Sequence, residues 1–117
     1  MPQPLVKCPM VKAPGDPCPH VLEGVLNLIG RKWSILVIGT VGNFGRLRFH
    51  EIREKLGQVS PKVLAERLKQ LERSGLLARE VYREIPPRVE YSLTPAGRQL
   101  REALAPLLRW STSYDHA

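Results

Sequence analysis

The chain has 117 residues, of which 43% are hydrophobic and 25% are charged, and this balance predicts one globular domain. Its longest uninterrupted apolar run, Ile35 to Ile38, is far shorter than the roughly 20 residues a membrane helix needs, and the N-terminus lacks a signal-peptide apolar region. We therefore expect a cytoplasmic protein with no membrane segment. The formal net charge of +7 favours an anionic partner, either nucleic acid or a membrane surface.

The positive charge is concentrated in the middle of the chain. Residues 46–88 carry 11 basic and 6 acidic side chains, whereas residues 1–45 carry 4 and 2 and residues 89–117 carry 3 and 3. The two cysteines, Cys8 and Cys18, are too few for a secreted disulfide framework and are expected to be free thiols in a reducing compartment.

The N-terminal third of the chain predicts an arm followed by two helices. Residues 1–17 contain five prolines and little apolar periodicity, which predicts a flexible, extended arm. A first helix is expected to start near Cys18 and Pro19 and to stop at Gly30, because apolar residues recur at helical spacing between them. The nearly continuous apolar segment from Trp33 to Val41 predicts a short buried second helix that the following glycines end.

The next segment predicts two amphipathic helices joined by a tight turn. Phe49, Ile52 and Leu56 form one apolar stripe, and the stretch from Gly57 to Val59 breaks it. Ser60 is a suitable N-cap, and Pro61 suits the first helical position because it has no N–H to lose. The helix that follows has an inner and an outer face and ends at Gly75. Its inner stripe is Leu64, Leu68 and Leu71, and its outer face carries Lys62, Glu66, Lys69 and Arg73.

A hairpin and a last helix complete the predicted fold. Leu77 to Tyr82 and Val89 to Leu93 have the composition of strands, and the polar, Pro-containing segment between them predicts a hairpin loop. Thr94 and Pro95 repeat the cap-plus-proline start of a helix. Pro106 is expected to kink or divide that helix. Its apolar residues are Leu100, Leu104, Leu107, Leu108 and Trp110.

Two helices with a short Gly-containing turn, followed by a basic hairpin, indicate a winged helix-turn-helix, a mainly α fold with a small β-hairpin (α+β). The second helix would enter the major groove of double-stranded DNA, and the hairpin would be the wing. The candidate DNA-contacting residues are Arg48, Ser60, Pro61, Lys62, Glu66, Arg67, Lys69, Arg83 and Arg88.

Other functions are less well supported by the residues. The three histidines have no nearby nucleophile and carboxylate, and there is no phosphate-binding glycine loop, so neither an enzyme nor a cofactor is predicted. Cys8, Cys18 and His20 lack the close Cys-x-x-Cys spacing of a metal site. The alternative is a winged-helix module that docks proteins, but such a surface would more often expose apolar than basic residues. Trp33 and Trp110 are expected in core or dimer packing, or lining an effector pocket.

Several short motifs occur together in the chain: Cys18-Pro19, Gly30-Arg31-Lys32-Trp33, Gly45-Arg46-Leu47-Arg48-Phe49, Ser60, the leucines from Leu64 to Leu71, Gly75-Leu76, and Pro87-Arg88-Val89-Glu90-Tyr91-Ser92-Leu93-Thr94. In this order, over roughly residues 18–110, they resemble the HxlR-type winged-helix regulators. This resemblance implies a bacterial or archaeal transcription regulator, expected to be a repressor, that binds a roughly palindromic operator as a homodimer. The dimer contacts would come from the first and last helices, so residues 18–117 would form the DNA-binding domain with its dimerisation helices.

Cys18 is a candidate redox-sensing thiol. It lies in or beside the first turn of the first predicted helix, where unpaired N–H groups and the positive end of the helix dipole favour the thiolate. Cys8 on the arm is the candidate resolving partner. The resemblance adds that some related regulators sense oxidants or electrophiles through a cysteine at the matching position. The alternatives are that Cys18 only packs beside Pro19, or that the regulator responds to a small molecule without thiol chemistry.

Overall fold

The computed structural model describes residues 12–17, 19 and 22–115. Within these ranges five helices and a three-stranded sheet form one winged helix-turn-helix, as predicted. The helices are α1 (Leu22–Ile29), α2 (Lys32–Phe44), α3 (Phe49–Leu56), α4 (Pro61–Arg73) and α5 (Pro95–Asp115), and the strands are β1 (Arg46–Leu47), β2 (Leu77–Tyr82) and β3 (Arg88–Leu93). No helix in the described ranges combines the length and the apolar character needed to cross a bilayer.

Helix α2 is the central element, because it packs against all four other helices and against strands β1 and β3. Val37, Ile38 and Val41 are completely buried on its inner side. The glycines after Val41 were predicted to end this helix. The second of them, Gly45, ends it after Phe44, with φ of +86° and its N–H bonded to the carbonyl of Val41, a conformation that glycine adopts without steric cost.

The helix-turn-helix forms as the sequence predicts. Helix α3 ends at Gly57, whose φ of +91° turns the chain toward α4. Ser60 caps α4, with its Oγ accepting from the N–H of Val63 at 3.1 Å, and Pro61 occupies the first turn. Leu64, Leu68 and Leu71 are buried on the inner side of α4. The Nε of Arg53 on α3 donates to the carbonyl of Val59 at 3.2 Å and ties the turn to the helix before it.

The sheet has one more strand than the predicted hairpin. Its order is β1-β3-β2, and both pairings are antiparallel. Arg46 lies opposite Ser92 and Leu47 opposite Tyr91, so β1 attaches the wing directly to the end of α2. On one face of the sheet Leu47, Leu77 and Leu93 are buried in the core. The other face carries Arg46, Glu80, Tyr82, Arg88 and Glu90.

Helix α5 is joined to the start of the wing by Thr94. Its Oγ1 donates to the carbonyl of Gly75 at 2.6 Å and accepts from the N–H of Gly97 at 3.1 Å. Pro106 does not divide α5, which continues through it to Asp115. The carbonyl of Glu102, which loses its usual helical partner at Pro106, belongs to an exposed residue and can bond to water instead.

Part of the predicted arm is described, and it is turned rather than extended. The N–H of Asp16 donates to the carbonyl of Ala13 at 3.2 Å, and the Asp16 carboxylate accepts from the N–H of Ala13 at 2.9 Å. Gly15, with φ of +93°, allows this turn. Residues 1–11 lie outside the described part of the chain.

Candidate DNA-binding surface

The outer side of α4 is exposed and mainly basic. Lys62, Lys69 and Arg73 are exposed there together with Glu66, opposite the buried leucines. These positions lie within one side of a helix because they are separated by three, four or seven residues. The sequence predicted this arrangement, and its cause is the amphipathic period of α4.

Ser60 and Pro61 lie at the exposed N-terminal end of α4. Because the Oγ of Ser60 accepts the N–H of Val63, the hydroxyl proton of Ser60 points elsewhere and can donate to an anion. Arg48 stands at the corresponding start of α3. Its backbone N–H donates to the Glu51 carboxylate at 2.8 Å, and its side chain is exposed.

Arg67 differs from the other predicted contacts on α4. It is half-buried, and its Nε is buried without a hydrogen-bond partner in the part of the chain that the structure describes. The helical period places this side chain on the flank of α4 rather than on its outer side.

The two wing arginines have different surroundings. Arg83 is exposed in the loop at the wing tip, beside the fully exposed Ile85. Arg88 is half-buried at the start of β3, and its guanidinium lies 3.2 Å from the Glu84 carboxylate and 3.5 Å from that of Glu90. Its charge is thus balanced within the wing, whereas the charge of Arg83 is available to a phosphate.

A cluster on the outer face of the sheet was missed by sequence reasoning. Arg46 donates to the Tyr82 hydroxyl at 2.7 Å and lies 3.7 Å from the carboxylates of both Glu80 and Glu90. Tyr82 in turn donates to Glu80 at 3.0 Å, and its ring centroid lies 4.2 Å from the Arg88 guanidinium carbon. The cluster joins all three strands. No sequence signal marks it, because Arg46 meets Tyr82 only through the pairing of β1 with β3.

The contacts within this cluster shift the pKa values of two of its members, Arg46 and Tyr82. Tyr82, and after it Glu80, raise the pKa of Arg46, so its guanidinium stays charged. The hydrogen bond to Glu80 is the main cause that raises the pKa of Tyr82 above its ordinary value. The cluster is therefore a neutral phenol held between an arginine and a carboxylate.

A second missed residue is Arg79 on β2. It lines a groove of about 410 Å³ together with Lys69 of α4 and the ring of Tyr91, its cross-strand neighbour. Arg79 is exposed and adds a basic side chain between the outer side of α4 and the wing. The composition of β2 predicted a strand here but could not show that Lys69 lies across the groove.

The redox candidates Cys8 and Cys18 both lie outside the described residues, as does His20. No group of three or more His, Cys, Asp or Glu side chains with the proximity of a metal site occurs among the residues that are described.

Comparison with known proteins gives the family. The model of the HxlR-like helix-turn-helix family matches residues 28–117. An HTH-type transcriptional regulator of Methanothermobacter thermautotrophicus is 43% identical over 93 residues, which cover 80% of this chain and 70% of that protein. A transcriptional regulator has a non-enzymatic role.

Two similar solved structures are those of the redox regulator HypR and of diamide-treated YodB. The redox regulator HypR in its oxidized form is 35% identical with a TM-score of 0.75, and the match covers 80% of this chain and 95% of HypR. The diamide-treated YodB from Bacillus subtilis is 37% identical with a TM-score of 0.68, and the match covers 84% of this chain and 95% of YodB. The fold, the basic helix-turn-helix and these matches lead to one conclusion: the chain belongs to the HxlR-like family of DNA-binding, helix-turn-helix transcriptional regulators.

Proposed function

We propose that the protein is a cytoplasmic repressor that binds a roughly palindromic operator as a homodimer, with α4 in the major groove and the wing beside it. The observation that carries the proposal is the separation of faces on α4. Lys62, Lys69 and Arg73 are exposed together, while the leucine stripe behind them is buried. Arg83 on the wing and Arg48 at the start of α3 extend the basic surface to both sides. Such a surface suits phosphates and guanine edges.

Exposed apolar side chains support the homodimer. Leu107, Leu108, Trp110 and Tyr114 are each 46% or more exposed on α5, and the rings of Trp110 and Tyr114 stack at 4.9 Å. Val25 and Leu26 on α1 are also exposed. Exposed apolar side chains of this size favour burial against a second copy, and a two-fold protein suits a two-fold operator.

DNase footprinting of the DNA that flanks the protein's own gene tests operator binding and half-site spacing together. We expect two protected half-sites whose centres lie about one helical turn, or a multiple of it, apart. A uniform pattern without protected half-sites would contradict the proposal. Repression is checked by placing a reporter gene behind the protected sequence, where loss of the regulator should raise expression.

The salt dependence of binding tests the residues of the basic surface. Lys62→Ala and Arg83→Ala should each weaken operator binding and reduce the slope of log affinity against log salt by about 0.9 for each phosphate that is no longer neutralised. The matched control is Lys55→Ala, which removes the same charge from α3 at a position where Nζ lies 4.0 Å from the ring centroid of Phe44. An equal slope change in all three variants would mean that net charge, and not this surface, determines binding.

We further propose that oxidants or electrophiles control this regulator through Cys18, with Cys8 as the resolving thiol. Support comes from the position of Cys18 before α1 in the sequence and from the similarity to HypR and YodB. Oxidation beside α1 would change the dimer contact and hence the spacing of the two copies of α4.

Thiol reactivity measured against pH, together with operator binding before and after mild peroxide or a quinone, tests the redox proposal. We expect an apparent pKa for Cys18 below the unperturbed value of about 8.5 and a change in operator affinity that Cys18→Ser abolishes. Cys8→Ser distinguishes the roles of the two thiols. In this variant the first oxidation of Cys18 should still occur, whereas the disulfide between Cys18 and Cys8 cannot form. Operator binding that is unaffected by oxidation would assign Cys18 to packing alone.

A further inference from the structure

A basic cleft lies between α2, strands β1 and β3, and the first turns of α5. Its volume is about 340 Å³, within the size range of small-molecule sites. Val41 and Leu93 contribute an apolar floor, and Arg46, Arg98 and Arg101 line its polar side together with Glu102. None of the lining residues belongs to α3 or α4, so the cleft is separate from the helix-turn-helix.

Arg101 is held in place by the glycine opposite it. A Cβ at Gly42 would overlap with Cδ and Nε of Arg101, so the stem of this arginine lies directly on the backbone of α2. Its guanidinium then donates to the side-chain carbonyl of Asn43. Glycine inside a helix lowers the stability by about 1 kcal/mol relative to alanine. The close approach of Arg101 explains why residue 42 is nevertheless a glycine. The guanidinium is therefore positioned before any ligand arrives.

Within the described part of the chain Arg98 and Arg101 have no ion pair, whereas Arg46, the third arginine of the cleft, is paired with Glu80 and Glu90. Arg98 donates to the backbone carbonyl of Leu93 at 3.0 Å, and Arg101 donates to an amide, so both bond to neutral acceptors. Among the described residues neither arginine has a carboxylate within ion-pair distance. Arg98 and Arg101 keep further donors that an anion can accept from in a bidentate manner.

We propose that this cleft binds a small organic anion, a carboxylate or phosphate group on an apolar body, as an effector. Arg98 and Arg101 would bind the anionic group, and Val41 and Leu93 would contact the apolar body. Arginine suits this role because its planar guanidinium matches carboxylate and phosphate geometry. DNA phosphate is the less suitable occupant, since the cleft lies at the end of β3 away from the wing tip and has an apolar floor.

The effector role rests on the proposed operator binding, whereas ligand binding itself does not. Arg46 lines the cleft and also holds Tyr82, Glu80 and Glu90 on the outer face of the wing. An anion that binds the guanidinium of Arg46 would weaken these contacts. Occupancy of the cleft would then change the position of the wing relative to α5, and so the fit of the protein to its operator.

Backbone-amide NMR titrations with benzoate, phenyl phosphate and neutral benzyl alcohol test the binding. We expect saturable shifts from both anions at residues 41–46 and 92–102, and none from benzyl alcohol. Arg98→Gln and Arg101→Gln should each lower the affinity about tenfold, because each removes a charged hydrogen-bond donor. Arg109→Gln, an exposed position on α5 outside the cleft, is the control. Circular dichroism identifies the variants that fold. One folded cleft variant, either Arg98→Gln or Arg101→Gln, is enough for the affinity test.

The proposal is overturned if neither anion shifts the cleft amides, if benzyl alcohol binds equally well, or if the shifts fall on α4. It is also overturned if the operator duplex itself shifts the cleft amides and benzoate competes with it, which would make the cleft a DNA-backbone contact.

For the effector role, saturating benzoate or phenyl phosphate should change operator affinity about fivefold or more in the unmodified protein and not in Arg101→Gln. Unchanged affinity overturns that role. Failure of the unmodified protein to bind any operator contradicts the proposed function instead and leaves the cleft result standing.

Discussion

At the scale of single residues, Ser60 combines a structural and a binding role. Its Oγ caps α4 through the N–H of Val63, and its exposed position lies at the end of the helix proposed to approach DNA. Ser60→Ala should lower the free energy of unfolding by about 1 kcal/mol, because the N–H of Val63 loses its acceptor. Denaturant unfolding measures this change.

Ser60→Asp separates the two roles. An aspartate caps a helix as well as a serine does, so the stability should be close to that of the unmodified protein, but its negative charge should repel DNA phosphates. Fluorescence anisotropy with operator DNA should therefore show weaker binding than for Ser60→Ala. Equal operator affinity for the two variants would exclude Ser60 from the DNA-binding surface.

Tyr82 gives a prediction about pH. Since its hydrogen bond to Glu80 raises the pKa of Tyr82 in the folded protein, the neutral phenol stabilises the fold fully below the unfolded pKa, and this contribution is lost as the pH rises through the folded pKa. This loss of stability occurs at alkaline pH, above the ordinary tyrosine pKa of about 10.

Glu80→Gln should lower the pKa of Tyr82 because it removes the carboxylate that accepts the phenolic proton. Ultraviolet absorbance of ionised tyrosine, with Tyr82→Phe as the reference that lacks this titration, measures the shift. An unchanged midpoint in Glu80→Gln would show that Glu80 does not set the pKa of Tyr82.

At the scale of elements, the joint between α5 and the wing depends on one glycine. A Cβ at Gly97 would overlap with the backbone carbonyl oxygen of Leu76, so α5 can approach the start of β2 only if residue 97 lacks a side chain. Gly97→Ala should destabilise the protein by about 1–3 kcal/mol, as overpacking does elsewhere. Thermal or denaturant unfolding measures it.

Gly39→Ala is the matched control for Gly97→Ala. Gly39 lies inside α2, and a Cβ there would meet no atom within 4 Å. The same replacement should therefore stabilise the protein slightly, by about 0.5–1 kcal/mol, through helix propensity alone. Destabilisation of equal size at both glycines would show that contact with Leu76 is not the cause.

At the scale of the whole molecule, the second half of α5 has two different sides. Leu104 is buried in the core of the domain, whereas Leu107 and Trp110 are more than half exposed. A truncation before Ala103 should yield monomers or aggregates without operator binding. Because it also removes Leu104 from the core, a point variant separates assembly from folding more clearly.

Leu107→Lys combined with Trp110→Lys should give a folded monomer with much weaker operator binding, because two charges on a buried apolar interface oppose association. Light scattering after gel filtration measures the mass, and circular dichroism checks the fold. Gln99→Lys, an exposed position on the same helix, is the control and should stay dimeric. A double variant that remains a dimer would place the interface elsewhere.

Features that depend on neighbours in sequence could be predicted from the sequence alone. The amphipathic periods of α3 and α4, the Ser60 cap and the two long strands all follow from interactions within a few residues, and the structure has each of them. The motifs from Cys18 to Thr94 likewise predicted the HxlR-type family, which the family model confirms. The exposed outer side of α4 followed from the same helical period.

Tertiary structure decided the features that join distant segments. Strand β1 has two residues, too few to show a periodic pattern, and exists only because β3 offers it hydrogen bonds. The ion pairs of Arg88 with Glu84 and Glu90 likewise depend on the fold of the wing, and the contact of Arg88 with DNA stays a prediction. The pairs Arg46 with Tyr82 and Arg101 with Asn43 are 36 and 58 residues apart in the chain. Their contact depends on how α2, the sheet and α5 pack together, and no local pattern of residues records that packing.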